Sequence, residues 1–274
     1  MRAQTKIITA VSGVLTRTSV RLILLTAPLV AALPGVSEPS PAAEPLAVDT
    51  AMEAWAATAV GERGPARRRL AALDGALAER GWSHRDDLTL PAAEAFARAE
   101  GDCVSFAFVL AALARSRGVP VVLVLSQPET ADRQRDLSVG RGHLAVGVEA
   151  RRGFHVFDAG GARPDAAAFR AITDRQAVAL YHSNRGSALL LAARPAEAVG
   201  ELRQATRIAP EFAVAWSNLG VALLRSGDAA AAEQAYRRAV ALAPESAGAW
   251  RNLAQLLERR LAHHPATVTG KEPL

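Results

Sequence analysis

Three residues in the middle of the chain are of types that combine into nucleophilic chemistry: Cys103, His143 and Asp158. A thiolate attacks a carbonyl carbon, but it needs a base to take and return the proton, and the base needs a third group to orient it. Cys103 opens an apolar segment that reads as a helix to about Arg117. Phe106, Val109, Leu110 and Leu113 share one face of it, Asp102 is placed to cap it and Gly118 to end it. At the first turn of a helix the partial positive charge favours a thiolate. A lone helical cysteine is more often a small buried hydrophobe, so the other two residues carry the weight.

They lie on a hairpin. Leu144, Val146 and Val148 alternate with His143, Ala145 and Gly147; Phe154, Val156 and Asp158 alternate with His155 and Phe157. With a turn at Ala150–Gly153, His143 faces Gly160 and Ala145 faces Asp158, which puts His143 and Asp158 diagonally on one face. A bulge of one residue would place them on opposite faces. His155 falls on the other face, as a structural or solvent-facing residue. His84 and His263-His264 lack ligand spacing for a metal.

The elements that must hold these residues can be read in order. Asp49 to Gly81 carries two helix-like segments separated near Gly61–Pro65, with capping-box spacing at Thr50 and Glu53. A short helix is expected from Pro91 to Glu100. Val121–Leu125 reads as a buried strand, Gln127–Arg141 as a polar loop or lid, and helical periodicity is expected from Ala166 to about Ala262.

The clearest pattern is a repeat. Shifting Ala179–Phe212 onto Ala213–Ser246 superposes Ser183 on Ser217, Asn184 on Asn218, Gly186 on Gly220, Ala198 on Ala232, Ala205 on Ala239 and Pro210 on Pro244. A further copy starts at Trp250, Asn252 and Leu253. This 34-residue period is that of the tetratricopeptide (TPR) helix pair. The Asn184/Asn218/Asn252 ladder is read as repeat consensus. Such arrays bind partner segments in a groove lined by their first helices, and by that resemblance Ser183, Ser187, Ser217, Val221, Arg251 and Gln255 would face it. Packing of the array on its neighbour is the competing role.

Gly101-Asp102-Cys103 opening an apolar helix, Gly118-Val119-Pro120 leading into a strand, and His143 and Asp158 on successive strands together resemble the transglutaminase-like, papain-related superfamily. With Ile172-Thr173-Asp174-Arg175 running into Tyr181, Asn184-Arg185-Gly186 and the repeats, the succession is similar to a bacterial subgroup in which that domain precedes TPRs. It departs from the family's frequent pattern at Leu144-Ala145 and at Asp158-Ala159. The resemblance implies an α+β fold: helices with a small antiparallel sheet, then an all-α TPR array. It also implies Cys103 as nucleophile, His143 as base and acid, Asp158 as orienting residue, acyl transfer or hydrolysis at an amide through a thioester, and no metal or organic cofactor. The expected segments are 1–45 (leader and Pro-rich linker), 46–170 (transglutaminase-like domain), 171–262 (TPR repeats) and 263–274 (tail).

Composition narrows the classes. Half the residues are hydrophobic, which excludes a disordered chain. Of the net charge of +5, residues 1–43 hold Arg2, Lys6, Arg17 and Arg21 against Glu38, which is +3. The remaining +2 leaves no nucleic-acid footprint. The single cysteine excludes an intramolecular disulfide and a Cys-rich zinc site. The positive stretch ending at Arg21, the apolar run Leu22–Leu33 and the Pro-rich segment to Pro45 read as an export signal. That run is short of the roughly 20 residues that span a bilayer, unless an uncleaved anchor extends back through Ile7–Leu15. Two functions stand side by side: an exported cysteine hydrolase or acyltransferase acting on a protein or peptide, and a non-enzymatic adaptor that keeps the fold without the chemistry.

Overall fold

The structure, a computed structural model, describes residues 45–126, 130–134, 137–141, 143–159 and 169–263. The expected leader and tail lie outside these residues, as does Gly160. The described residues belong to one compact unit. In chain order they form α1 (Thr50–Ala59), α2 (Ala66–Glu79), the short β1 (Ser83–His84), α3 (Ala92–Arg98), the short β2 (Glu100–Gly101), α4 (Cys103–Ser116), β3 (Val122–Ser126), β4 (Thr130–Gln134), β5 (Leu137–Arg141), β6 (Leu144–Glu149), β7 (Phe154–Phe157) and β8 (Phe169–Ile172). Five helices follow: α5 (Asp174–Leu191), α6 (Pro195–Ile208), α7 (Ala213–Arg225), α8 (Ala229–Leu242) and α9 (Ala247–His263). The architecture is α+β, with an antiparallel sheet ahead of packed helices consistent with TPR.

α4 is the centre of the molecule. Every residue from Val104 to Ala114 is buried, so this helix is apolar all round and must be covered on every side. Met52 and Ala56 of α1, Leu70, Leu73 and Leu77 of α2, and Ala95 and Phe96 of α3 share its core. So do Leu123, Leu125, Leu144, Val146 and Val148 from one face of the sheet. The other face carries a small cluster of Val124, Ala145 and Phe169, flanked by Val122, Phe154 and Val156. The order is β7-β6-β3-β8, antiparallel throughout. α4's far end is tied by the buried Arg69 of α2, which donates to the carbonyls of Gly61 and Arg117.

Three local expectations are corrected. Asp49, not Thr50, caps α1, its carboxylate accepting from the Met52 N–H at 2.8 Å. Gln127–Arg141 is not a plain loop: the β4 and β5 backbones pair as a hairpin, and β5 lies beside α5, α7 and α9. The helical stretch expected from Ala166 contains instead the edge strand β8, with Leu123 opposite Ile172 and Ser126 opposite Phe169; its residues 166–168 lie outside the described set. Phe169 and Ile172 satisfy a helical i, i+3 spacing and a strand equally well when the run is this short, and pairing with β3 decides it.

α5–α6 and α7–α8 are two helix pairs and α9 is the first helix of a third. No strand occurs among described residues 179–262. The repeat has a steric basis. A Cβ at Gly220 would stand 2.4 Å from Cε1 of the fully buried Tyr236, and one at Gly186 would stand 2.5 Å from Cγ of Leu202. The glycines thus let the two helices of each pair meet. Trp216 Nε1 donates to the Pro210 carbonyl, and Trp250 Nε1, one period later, to that of Pro244. Gly220→Ala should therefore destabilise the chain by roughly 1–3 kcal/mol through overpacking. Gly200→Ala, on the exposed side of α6 with nothing within 4 Å of the new carbon, should stabilise it by roughly 0.5–1 kcal/mol. Thermal unfolding of the two variants beside the parent checks both, and a neutral Gly220→Ala would refute the close-approach account.

Candidate functional site

The site starts at the first turn of α4. Asp102 has extended backbone (φ −79°, ψ −174°) and its side chain accepts from the Ser105 N–H at 2.9 Å, a side-chain N-cap. The same oxygen accepts from the Ser105 hydroxyl at 2.9 Å; the other accepts from Thr89 Oγ1 at 2.6 Å and from Asn184 Nδ2 at 3.5 Å. Burial pushes the Asp102 carboxyl up from its ordinary range, and these four donors pull the other way. Gly101, at φ +148°, brings the chain in so closely that a Cβ there would lie 2.5 Å from Ser105 Cβ. Cys103 follows as the first residue of α4, half-buried. Its own N–H is one of the four a helix start leaves without an intrahelical acceptor.

The sheet brings up the other two residues. β6 and β7 pair with Val146 opposite Phe157 and Glu149 opposite Phe154, the register expected from the hairpin. The Ser126 N–H donates to the His143 carbonyl at 3.0 Å, fixing that backbone beside the end of β3. His143 Nε2 is 3.0 Å from Asp158 Oδ2. Asp158 is almost wholly buried (4% exposed side chain), whereas the imidazole is 37% exposed. Cys103 also bears on the imidazole, its side chain favouring the protonated ring.

The His143 imidazole is raised from 6.5 to about 10. The hydrogen bond to Asp158 is the largest cause and that to Cys103 the next. Burial opposes them, and electrostatic interactions with Cys103 and Asp158 add to the rise. Asp74 on α2, absent from the sequence reading, is raised from 3.8 to about 6 by its burial and by the charge of Asp158. Nothing at sequence level distinguishes it from other acids on amphipathic helices; only the packing of α2 near β7 does.

Other candidates fall elsewhere. His155 is exposed and His84 pairs with Asp86; among the described residues no His, Cys, Asp and Glu cluster could hold a metal. Of the six groove candidates, Ser183, Ser187 and Val221 are fully buried. Ser217 and Gln255 are half-buried and Arg251 is exposed. The Asn ladder makes specific bonds: Asn218 Nδ2 donates to Ser187 Oγ at 3.0 Å and Ser183 Oγ at 3.4 Å, and Asn252 Nδ2 to Ser217 Oγ at 3.2 Å. Cavities of about 760 Å³, between residues 87–90 and α5–α6, and about 910 Å³, between α8 and α9, have none of Cys103, His143 and Asp158 on their walls.

A family model described as a tetratricopeptide repeat matches residues 213–256, which are α7, α8 and the first part of α9. Repeats of this class indicate protein partners in general. A search of curated proteins with the whole chain found no match.

The pKa directions set a pH dependence. His143 is raised in the folded state, so its contribution to stability is fully present below about pH 6.5 and lost as pH rises through about 10. Asp74 acts with the same sign at lower pH: the fold favours its protonated form, so that contribution is present below about 3.8 and lost on rising through about 6. Denaturant midpoints across these windows should fall with pH in both. His143→Ala should flatten the alkaline decline and Asp74→Asn the acidic one; a variant that keeps its decline refutes the corresponding assignment.

Proposed function

We propose that this protein is an exported cysteine hydrolase or acyltransferase of the transglutaminase-like kind, acting on an amide or peptide bond of a protein or peptide. The observation that carries this is His143, bonded through Nε2 to a buried carboxylate and sharing its side chain with the only thiol of the chain. In the proposed reaction the Cys103 thiolate attacks the amide carbon, with the Cys103 N–H turned towards the oxygen that gains charge. The tetrahedral species collapses to a thioester as the C–N bond breaks, and His143 gives its proton to the leaving amine. Water or an acceptor amine, deprotonated by His143, then displaces the thiol and returns the proton. Asp158 holds the ring and balances the imidazolium. The TPR helices would engage the protein substrate or its carrier.

The match to a TPR model favours a second reading, a protein-binding adaptor whose αβ part does no chemistry. Alkylation separates the two. With iodoacetamide, read by intact mass, Cys103 should stay reactive at mildly acidic pH. His143→Ala should slow that reaction by about tenfold or more, and Asp158→Asn should leave the thiol accessible while lowering turnover by roughly 10⁴-fold. A parent profile like that of a free thiol, unchanged by His143→Ala, supports the adaptor.

Export rests on the leader alone. Mass spectrometry of protein released from cells should give a mature start between about Leu33 and Pro45, the stretch after the apolar run; an intact Met1 would favour an anchor.

A further inference from the structure

Asn184 occupies the same repeat position as Asn218 and Asn252. Those two donate back to serines on the first helix of the preceding repeat, Asn218 to Ser183 and Ser187 and Asn252 to Ser217. No repeat precedes α5. In the place of the missing serine, Asn184 Nδ2 meets Oδ2 of Asp102, the residue that caps α4 and adjoins Cys103. Both side chains are nearly completely buried (5% and 4%), and the Asn184 amide oxygen has no protein partner. Turning the amide over would set that oxygen against the carboxylate, so the donor orientation follows from the network.

The contact is one of three spaced along the whole of α4. Phe108 stacks on Tyr181, with centroids 5.9 Å apart, and Arg115 holds Asp174 through two bonds of 2.8 Å. The start of α4 meets the later part of α5 and its end meets the start of α5, so the two helices run antiparallel, locked at both ends. The αβ core itself continues into the array, through Leu180, Tyr181, Ala205, Phe212 and Ala215.

We propose that Asn184 is a positioning residue for Cys103, acting through Asp102, so that the first TPR helix sets how squarely the thiol meets His143. This rests on the proposed role of Cys103 as nucleophile. The route is physical: the Asp102 carboxylate fixes the first turn of α4, Thr89 and Ser105 hold it from the αβ side, and Asn184 is the one donor that reaches it from the repeats. Losing that donor leaves a buried carboxylate under-bonded, and the first turn must shift to regain a partner. Whatever moves α5 therefore moves the thiol.

The test uses the full chain and the rate of Cys103 alkylation by iodoacetamide against pH, with thermal unfolding in parallel. Asn184→Ala should lower the rate near pH 6 by about tenfold, the scale of a small misplacement of a reacting group, and bend the profile towards that of His143→Ala. Asn218→Ala removes the equivalent ladder bond one repeat later, with no link to Asp102, and should leave the profile as in the parent whatever its loss of thermal stability. Asn184→Asp keeps the shape should Asn184→Ala fail to fold. It sets two carboxylates together, so its alkylation should be near the parent's at low pH, where they share a proton, and fall behind as that proton leaves. An Asn184 variant with the parent profile overturns the inference, as does Asn218→Ala slowing the thiol equally. If the parent and His143→Ala share an ordinary thiol profile, the nucleophile reading itself fails and this inference falls with it. The first two outcomes leave that reading intact.

Discussion

A carboxylate in the interior, at the start of a helix that is itself interior, sets the terms for everything around it. Asp102 is 4% exposed and precedes a helix whose residues 104–114 are all buried. Taking such a group out of water is unfavourable unless donors surround it. Here they come from Thr89, from Ser105 twice and from Asn184. Each donor sits on a different part of the chain: the segment before α3, α4 itself, and the first helix of the repeats. Satisfying one charge therefore fixes the relative placement of three segments. The requirement extends to Gly101, where the backbone passes so close to Ser105 that no side chain fits.

A second, independent constraint fixes His143 and Asp158. β6 is buried along five of its six residues, which pins its register against β3, because a slip of one residue would exchange the two faces of the sheet. The bond from the Ser126 N–H to the His143 carbonyl extends that register one residue past the strand. The register with β7 then places Asp158 where its carboxylate reaches the ring. A helix cap and a sheet register have no local reason to converge. α4 packs on the sheet face formed by Leu123, Leu125, Leu144 and Val146, while His143 lies beside Phe169 of the other face.

The parts legible in the sequence are those governed by short-range rules. The Asp102 cap, the extent of α4, the register of the β6–β7 turn and the 34-residue repeat each depend on residues close together or on strict periodicity, and each stands in the structure. The parts that were not legible depend on long-range partners. β8 is four residues long, and only the edge of β3 tells it from a helical turn. The β4–β5 hairpin lacks the alternation that marks the core strands. Asp49 outcompetes Thr50 as a cap through a shift of one residue, the ordinary uncertainty of a helix boundary. Arg69 and Asp74 look like surface residues of an amphipathic helix; their burial follows from where α2 lies. The Asn ladder fits a repeat consensus, and its bonds to Ser183, Ser187 and Ser217 are consistent with that, but nothing local indicates that its first member faces Asp102.

That first member bears on how the repeat helices are held against the αβ part. A TPR unit cannot bury its apolar surface alone, and arrays gain stability by stacking units on one another. Among the described residues α5 to α9 provide two helix pairs and one further helix, and the αβ side packs on them. α4 lies against α5 with a buried polar contact at one end and a bidentate ion pair at the other; the β5 backbone runs beside α5, α7 and α9. Ser183, Ser187 and Val221, on the face that in a longer array would await a partner, are already buried. Asn218 of the next repeat covers Ser183 and Ser187, Val221 lies in the cluster that the repeat helices share, and the β5 backbone runs along the first helices. Among the described residues the exposed large hydrophobic side chains are Leu191 at the end of α5 and Trp250 and Leu261 of α9. The contacts of α4 with α5 thus run from the residue that caps α4 to its last turn, and the αβ part and the repeat helices meet along one interface.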